Sequence, residues 1–202
     1  ARRERTQFLA EKARNVLDLF NLLRDHGREN GTPRYSWING GMSAACMHAG
    51  GILAASQTTA SWASELRLGG SQHWVTATAA PCTGIFKPLR VEEPICIGGF
   101  PTEVPDASLW RRHERFHRLV MKNPLELMPL FSQQRDAIER QWTRALPDSQ
   151  AAWNEASRML DEWMEEVQRK ATKDTRPHYV RRYWTRREST RSLWSRASIT
   201  AR

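Results

Sequence analysis

Apolar residues recur at helical spacing near the front of the chain. Between positions 6 and 26, Phe8, Leu9, Val16, Leu17, Leu19, Phe20, Leu22 and Leu23 make a wide apolar face, with Arg and Glu elsewhere. Gly27 stands where a helix stops, so the pattern predicts one helix over 6–26. Asn30-Gly31-Thr32-Pro33 breaks it, and Asn39-Gly40-Gly41 marks a tight turn. From 42 to 89 the texture changes to small and β-branched residues. Runs at 42–48, 57–66 and 73–79, separated by Gly50-Gly51 and Gly69-Gly70, predict three strands in a meander or hairpin arrangement. In the second run, Thr58, Ala60, Trp62, Ser64 and Leu66 share one face, and Thr59, Ser61, Ala63 and Glu65 the other. Neither face is strongly charged. Such a strand fits inside a layered sandwich with other layers on both sides.

Residues 90–106 carry Pro94, Pro101, Pro105 and Gly98-Gly99 and read as a loop. Helical spacing then returns, over 107–171. Asp106 or Ser108 would cap a helix running to about Met121, and Asn123-Pro124 would open a second bearing Leu127, Met128, Phe131, Ile138 and Trp142. Pro147-Asp148 would start a third, with Trp153, Ala156, Leu160, Trp163, Met164 and Val167 in one stripe. No internal repeat is visible. Beyond about 172, Arg and Ser dominate and the pattern fades into a basic C-terminal tail, 172–202. The expected class is α+β.

Charge changes the picture only once it is located. The net charge is +9, yet residues 1–167 hold 20 Lys+Arg against 20 Asp+Glu, and residues 168–202 hold 11 against 2. The body is neutral, so the high isoelectric point says little about what it binds. No run of eighteen apolar residues occurs, so no membrane span is expected. The chain begins Ala1-Arg2-Arg3-Glu4-Arg5 without an initiator Met or a signal-like apolar region, and a helical pattern is soon under way. A chain whose front has been removed is the expected reading; processing to a mature subunit would look the same. Three cysteines, Cys46, Cys82 and Cys96, without CxxC spacing, argue against a disulfide framework and a structural zinc site. A reduced, cytoplasmic setting is expected.

Three stretches together resemble the secernin and bacterial dipeptidase family of N-terminal-nucleophile hydrolases. The first is Cys46-Met47-His48-Ala49-Gly50-Gly51 leading into Ser56-Gln57-Thr58-Thr59-Ala60-Ser61-Trp62-Ala63-Ser64. The second is His73-Trp74-Val75-Thr76-Ala77-Thr78-Ala79-Ala80-Pro81-Cys82, closing on Ile85-Phe86-Lys87-Pro88. The third is Ser108-Leu109-Trp110-Arg111-Arg112-His113-Glu114. Their order and separations match the C-terminal half of that family, from the first helix to about Tyr183. The likeness implies part of an αββα sandwich, two antiparallel sheets between helical layers. It implies a parent protein that hydrolyses small peptides through a cysteine exposed as its first residue, whose α-amino group serves as base. That cysteine belongs to the N-terminal half, for which this chain offers no matching position, so no catalytic residue is assigned and the chain alone is expected to be inactive. No cofactor is implied. Thr59, Ser61 and Ser64, on the matched strand, are candidate substrate-binding hydroxyls, against the plainer reading that small polar residues let two layers pack closely. Cys82 reads as a small buried thiol.

His113-Glu114-Arg115-Phe116-His117 fits the HExxH zinc-peptidase pattern on a predicted helix. Arg111, Arg112, Arg115 and Arg118 around it oppose a metal ion. The two imidazoles share a stripe with Leu109, Trp110, Phe116 and Val120, as core histidines do, and no third ligand declares itself. A zinc metallopeptidase is therefore an alternative only, and no metal ligand is assigned. In the tail, Tyr179, Tyr183, Trp184 and Trp194 interleave with arginines, a pattern that would suit single-stranded nucleic acid. A solvated extension, or an aromatic anchor folded back on the body, explains it as well, and no nucleic-acid or membrane partner is expected. The expected partners are a small peptide substrate, the N-terminal half of the same domain and a possible second copy of the chain. The remaining alternative is a non-catalytic secernin-like interaction protein, with Trp142, Trp153 and Trp163 as interface material.

Overall fold

Asn15 divides the first apolar stretch into two helices. Its side chain accepts from the Asp18 backbone N–H at 3.1 Å, and the Asp18 carboxylate accepts from the Asn15 N–H at 3.2 Å. That reciprocal pair starts a new helix. In place of one helix over 6–26 there are α1, Arg2–Lys12, with no buried residue, and α2, Val16–Leu23, which buries Val16, Phe20 and Leu22. The computed structural model describes residues 2–27, 31–53, 56–102, 106–170 and 172–197. The sequence features at Asn30, Pro105 and 198–202 lie outside them.

The three strands are β1, Trp62–Glu65, β2, Gln72–Val75, and β3, Lys87–Leu89, in one antiparallel sheet ordered β1-β2-β3. The architecture is α+β, as expected, but the expected strand over 42–48 is irregular backbone. Its polar groups are drawn to separate partners rather than to a ladder. Cys46 N–H donates to Asp25 O at 3.0 Å, Met47 N–H to Thr58 Oγ1 at 3.0 Å, and His48 joins Gly41 in an isolated bridge. The third strand lies instead at Lys87–Leu89, where Pro88 sits on an edge strand that tolerates a missing N–H.

The register places Ala63, Trp74 and Pro88 on one side of the sheet, and Trp62, Val75 and Lys87 on the other. The first side faces α2, where Trp74 meets Phe20 edge-on at 5.7 Å and Phe86 stacks on Phe20 at 4.2 Å. The second side is covered only toward β3, where the Lys87 ammonium lies 4.8 Å from the Trp153 ring. At β1 it is bare: Trp62 is 55% exposed, and Leu66 and Leu68 beyond it stand clear. The expectation that β1 has both faces covered is thus met on one face only.

The helical region follows its caps. The Ser108 side chain accepts from Arg111 N–H to open α3, Leu109–Val120, and Asp148 accepts from Ala151 N–H at 2.9 Å to open α6, Ser149–Arg169. The second predicted helix is broken into α4, Pro124–Leu127, a 3-10 turn at Met128–Leu130 containing Pro129, and α5, Ser132–Arg144. Phe116 of α3, Phe131 just ahead of α5 and Trp163 of α6 form the aromatic centre of the core, with successive ring centroids 4.9 and 5.1 Å apart. A final helix, α7, spans His178–Ala197. Its first turns fold back on the body. Val180 and Trp184 bury against Ala49, and a Cβ at Gly50, whose φ is +152°, would meet Val180 at 2.9 Å. No helix among the described residues is long and apolar enough to cross a membrane.

Candidate metal centre

Two pieces of irregular chain meet beneath the sheet, and each needs help to hold its shape. The 41–49 loop is clamped by glycines. Gly41 N–H donates to His48 O at 2.7 Å, and a Cβ on Gly51 would lie 2.4 Å from Gly40 N, so only glycine lets these backbones abut. Thr58 then ties this loop to the second piece. Its hydroxyl accepts from Met47 N–H, its N–H donates to Met47 O at 3.1 Å, and its carbonyl accepts from Ala80 N–H at 2.7 Å. The 80–84 turn leaves Ala80 with a φ of +52°. Its carbonyls are collected by side chains: Arg24 donates to Pro81 O and Gly84 O, both at 2.9 Å, Arg135 donates to Cys82 O, and His113 Nε2–H donates to Thr83 O at 3.1 Å. Arg24 is itself paired with the buried Glu139 carboxylate at 2.5 Å, which also accepts from Phe86 N–H at 2.7 Å. Removing one partner of such a buried pair costs about 3–5 kcal/mol, because the other charge is stranded.

These supports bring His26, just past α2, together with Cys46 and His48 from the loop and Cys82 from the turn. One donor atom from each lies within 4.8 Å of all the others, and all four residues are buried. His48 Nε2 is central, 2.9 Å from His26 Nε2, 3.4 Å from Cys46 Sγ and 3.7 Å from Cys82 Sγ. His26 Nδ1–H donates to Gly31 O, which leaves the lone pair of its Nε2 facing the cluster. His48 Nδ1 has no hydrogen-bond partner among the described residues. The His117 ring stacks on His48 at 5.1 Å.

Burial sets the titration of these groups against their neighbours. It pulls His48 down to about 4, although Cys82 favours the imidazolium. Burial and the hydrogen bond with Cys82 push the Cys46 thiol well up. Burial alone would raise Cys82 too, but Cys46 as a donor, with His48, His26 and His117 around it, holds that thiol well below the ordinary range.

The sequence-predicted site residues are not gathered in one place. Thr59 is exposed; Ser61 is buried, with its N–H donating to Thr76 Oγ1 at 2.9 Å; Ser64 lies on the Trp62 side of β1, where its hydroxyl meets His73 Nδ1 at 2.8 Å. In the HExxH helix both histidines are engaged with Thr83, His113 through the carbonyl and His117 Nδ1 through the hydroxyl at 3.0 Å, while Glu114 is paired with Arg118 at 2.7 Å. The rings that suggested zinc there are core histidines, and Cys82 is a small buried thiol, as read, that also belongs to the four-donor cluster. Sequence reasoning passed over that cluster because it has no CxxC spacing. The available signal was Cys46-x-His48 with Cys82 further along the chain; His26 had none.

Chemically, two soft thiols and two imidazoles suit a transition metal, or a thiolate nucleophile with an imidazole base. A nucleophile needs room for substrate. Cys82 is 1% exposed, and the gap bordered by Tyr35, His48, Gln57 and Trp184 measures about 10 Å³, scarcely one water. Comparison with known protein families, curated proteins and solved structures finds no match for this chain.

Proposed function

We propose that this chain is the C-terminal portion of a secernin-type cysteine amide hydrolase that acts on small peptides in the cytoplasm, with the reactive cysteine on the N-terminal half. The single observation that carries this reading is the uncovered side of the sheet. Trp62, Leu66 and Leu68 stand exposed there, and beside them lies a cleft of about 440 Å³ lined by Ala60, Ser61, Trp62, Val75, Leu89 and Trp153. An apolar sheet face of this kind calls for a covering layer. A second antiparallel sheet laid on it would make the inner half of an αββα sandwich, with α2 as the outer layer on the opposite side and α6 reaching the near side only at β3. The cleft would then lie between the sheets, and of the three candidates Ser61 is the residue that lines it.

In this reading the chain contributes binding walls and a rigid scaffold, and the incoming cysteine attacks the amide carbonyl with its own α-amino group as base. Cys46 and Cys82 are internal and buried, so they do not substitute for it. The test uses the protein with its N-terminal half. It should release amino acids from dipeptides, lose that activity to thiol alkylation and keep it through brief exposure to a chelator. Activity that survives alkylation of an accessible N-terminal cysteine would sink the reading.

A further inference from the structure

We infer that His26, Cys46, His48 and Cys82 form a structural zinc site, a closed centre of two cysteines and two histidines that ties the end of α2, the 41–49 loop and the 80–84 turn into one unit. This goes beyond the hydrolase reading and does not depend on it.

The donor geometry comes first. Tetrahedral zinc holds nitrogens at about 2.0–2.1 Å and sulfurs at about 2.3 Å, which puts neighbouring donors about 3.3–3.8 Å apart. Around His48 Nε2 the separations are 2.9, 3.4 and 3.7 Å, and no pair of donors exceeds 4.8 Å. An ion at the centre requires His26 Nε2 and His48 Nε2 to part by about 0.4 Å and the widest donor pair to close by up to about 1 Å.

Proton placement points the same way. With His26 Nδ1–H given to Gly31 O, the inward His26 Nε2 is a bare lone pair, and it faces the other imidazole nitrogen at hydrogen-bond distance. A carbonyl accepting from the outer ring nitrogen is also the usual way a metal-bound histidine is oriented. One cation among the four donors satisfies every inward lone pair at once.

Charge explains how such a centre can be buried. A zinc dication with two thiolates and two neutral imidazoles sums to zero, so no counter-ion is required. The nearby guanidinium groups have partners already: Arg24 with Glu139, and Arg135 with Asp136 at 2.7 Å. Thiolates exclude magnesium and calcium, which take oxygen ligands. With all four positions supplied by protein and none open to solvent, the site is structural rather than catalytic. The fold shows why it is needed. The described residues of 24–61 have isolated bridges in place of ladders, and a metal would anchor chain that neither helix nor sheet holds there.

The experiment uses the full 202-residue chain, purified without chelator, and measures metal by mass spectrometry. About one zinc per chain is expected, and cobalt(II) should give a thiolate-to-cobalt band with tetrahedral visible absorption. His26→Asn and Cys82→Ser should each lower zinc content at least about tenfold, while Cys96→Ser, at the exposed thiol outside the cluster, should leave it unchanged. Ligand variants can fail to fold, so the unaltered chain carries the decision: unfolded with chelator, it should regain its structure with zinc and not without. A refolded chain that takes up less than about a tenth of an equivalent, or a cobalt complex lacking the thiolate band, would overturn the assignment. Metal content is read without any activity, so the hydrolase reading stands or falls separately.

Discussion

The two halves of the core are held by different physics. The region from α3 to α6 is cohesive through apolar stripes. Its backbone bonds are local to each helix, and Phe116, Phe131 and Trp163 close against one another with no polar demand beyond the Trp163 indole, which donates to Gln134 at 2.7 Å. The region from α2 to β3 has little regular structure, and its backbone groups find partners far along the chain. Arg24, Arg135, Thr58, His113 and Lys87 each bond main-chain carbonyls or amides of another segment. Apolar stripes give cohesion that is tolerant of position. A buried polar network gives a shape that is not, since each missing partner leaves a charge or a lone pair stranded. The first half should therefore weaken when altered, and the second should come apart locally.

Several substitutions would break or sharpen that contrast. Glu139→Gln strands Arg24 and should cost about 3–5 kcal/mol in urea unfolding, with hydrogen exchange rising first at the 80–84 turn. A loss below about 1 kcal/mol would mean that the pair is not what holds the turn. Phe131→Ala should cost nearly as much, about 3–4 kcal/mol, through the cavity it leaves. Its effect should spread over α3, α5 and α6 and leave exchange at 80–84 little changed relative to global stability. Equal patterns for the two variants would erase the distinction.

Acid should act through His113, which reaches from α3 to a carbonyl of the 80–84 turn. Burial holds His113 down to about 3, below the ordinary 6.5. Between those values the unfolded chain binds a proton that the folded one refuses, so stability is full above about pH 6.5 and is lost as pH falls toward 3. His113→Gln, which keeps an N–H donor for Thr83 O, should flatten this slope by about 4–5 kcal/mol over the window, measured as the difference between variant and unaltered chain. Parallel curves would show that His113 does not carry the titration. Thr58→Val removes the hydroxyl that accepts from Met47 N–H and should cost about 1–2 kcal/mol, again with local opening at 41–49. Asp148→Ala, which uncaps α6 in the apolar half, should cost about 1 kcal/mol and shift the thermal midpoint without altering the loop region.

The helical half was legible because its signals are local. Ser108 and Asp148 cap helices where the sequence places them, and the stripe of Trp153, Ala156, Leu160, Trp163 and Val167 is the buried face of α6. Asn15-x-x-Asp18 was an equally local signal, and overlooking it merged two helices into one. The 42–48 run read as a strand on composition, but composition does not supply a ladder partner, and here Asp25, Thr58 and Gly41 take its backbone bonds singly.

What the amino-acid order determined by itself was the α+β class, the capped and striped helices, and an HExxH pattern that its arginines already argued against. What only the tertiary structure decided was which side chains meet: Arg24 with Glu139, both HExxH histidines with Thr83, and His26 with Cys46, His48 and Cys82. Periodicity encodes a face of one element, because its geometry repeats every few residues. Contacts between irregular loops have no period, and they exist only once glycine contacts and buried charges have set where each loop lies.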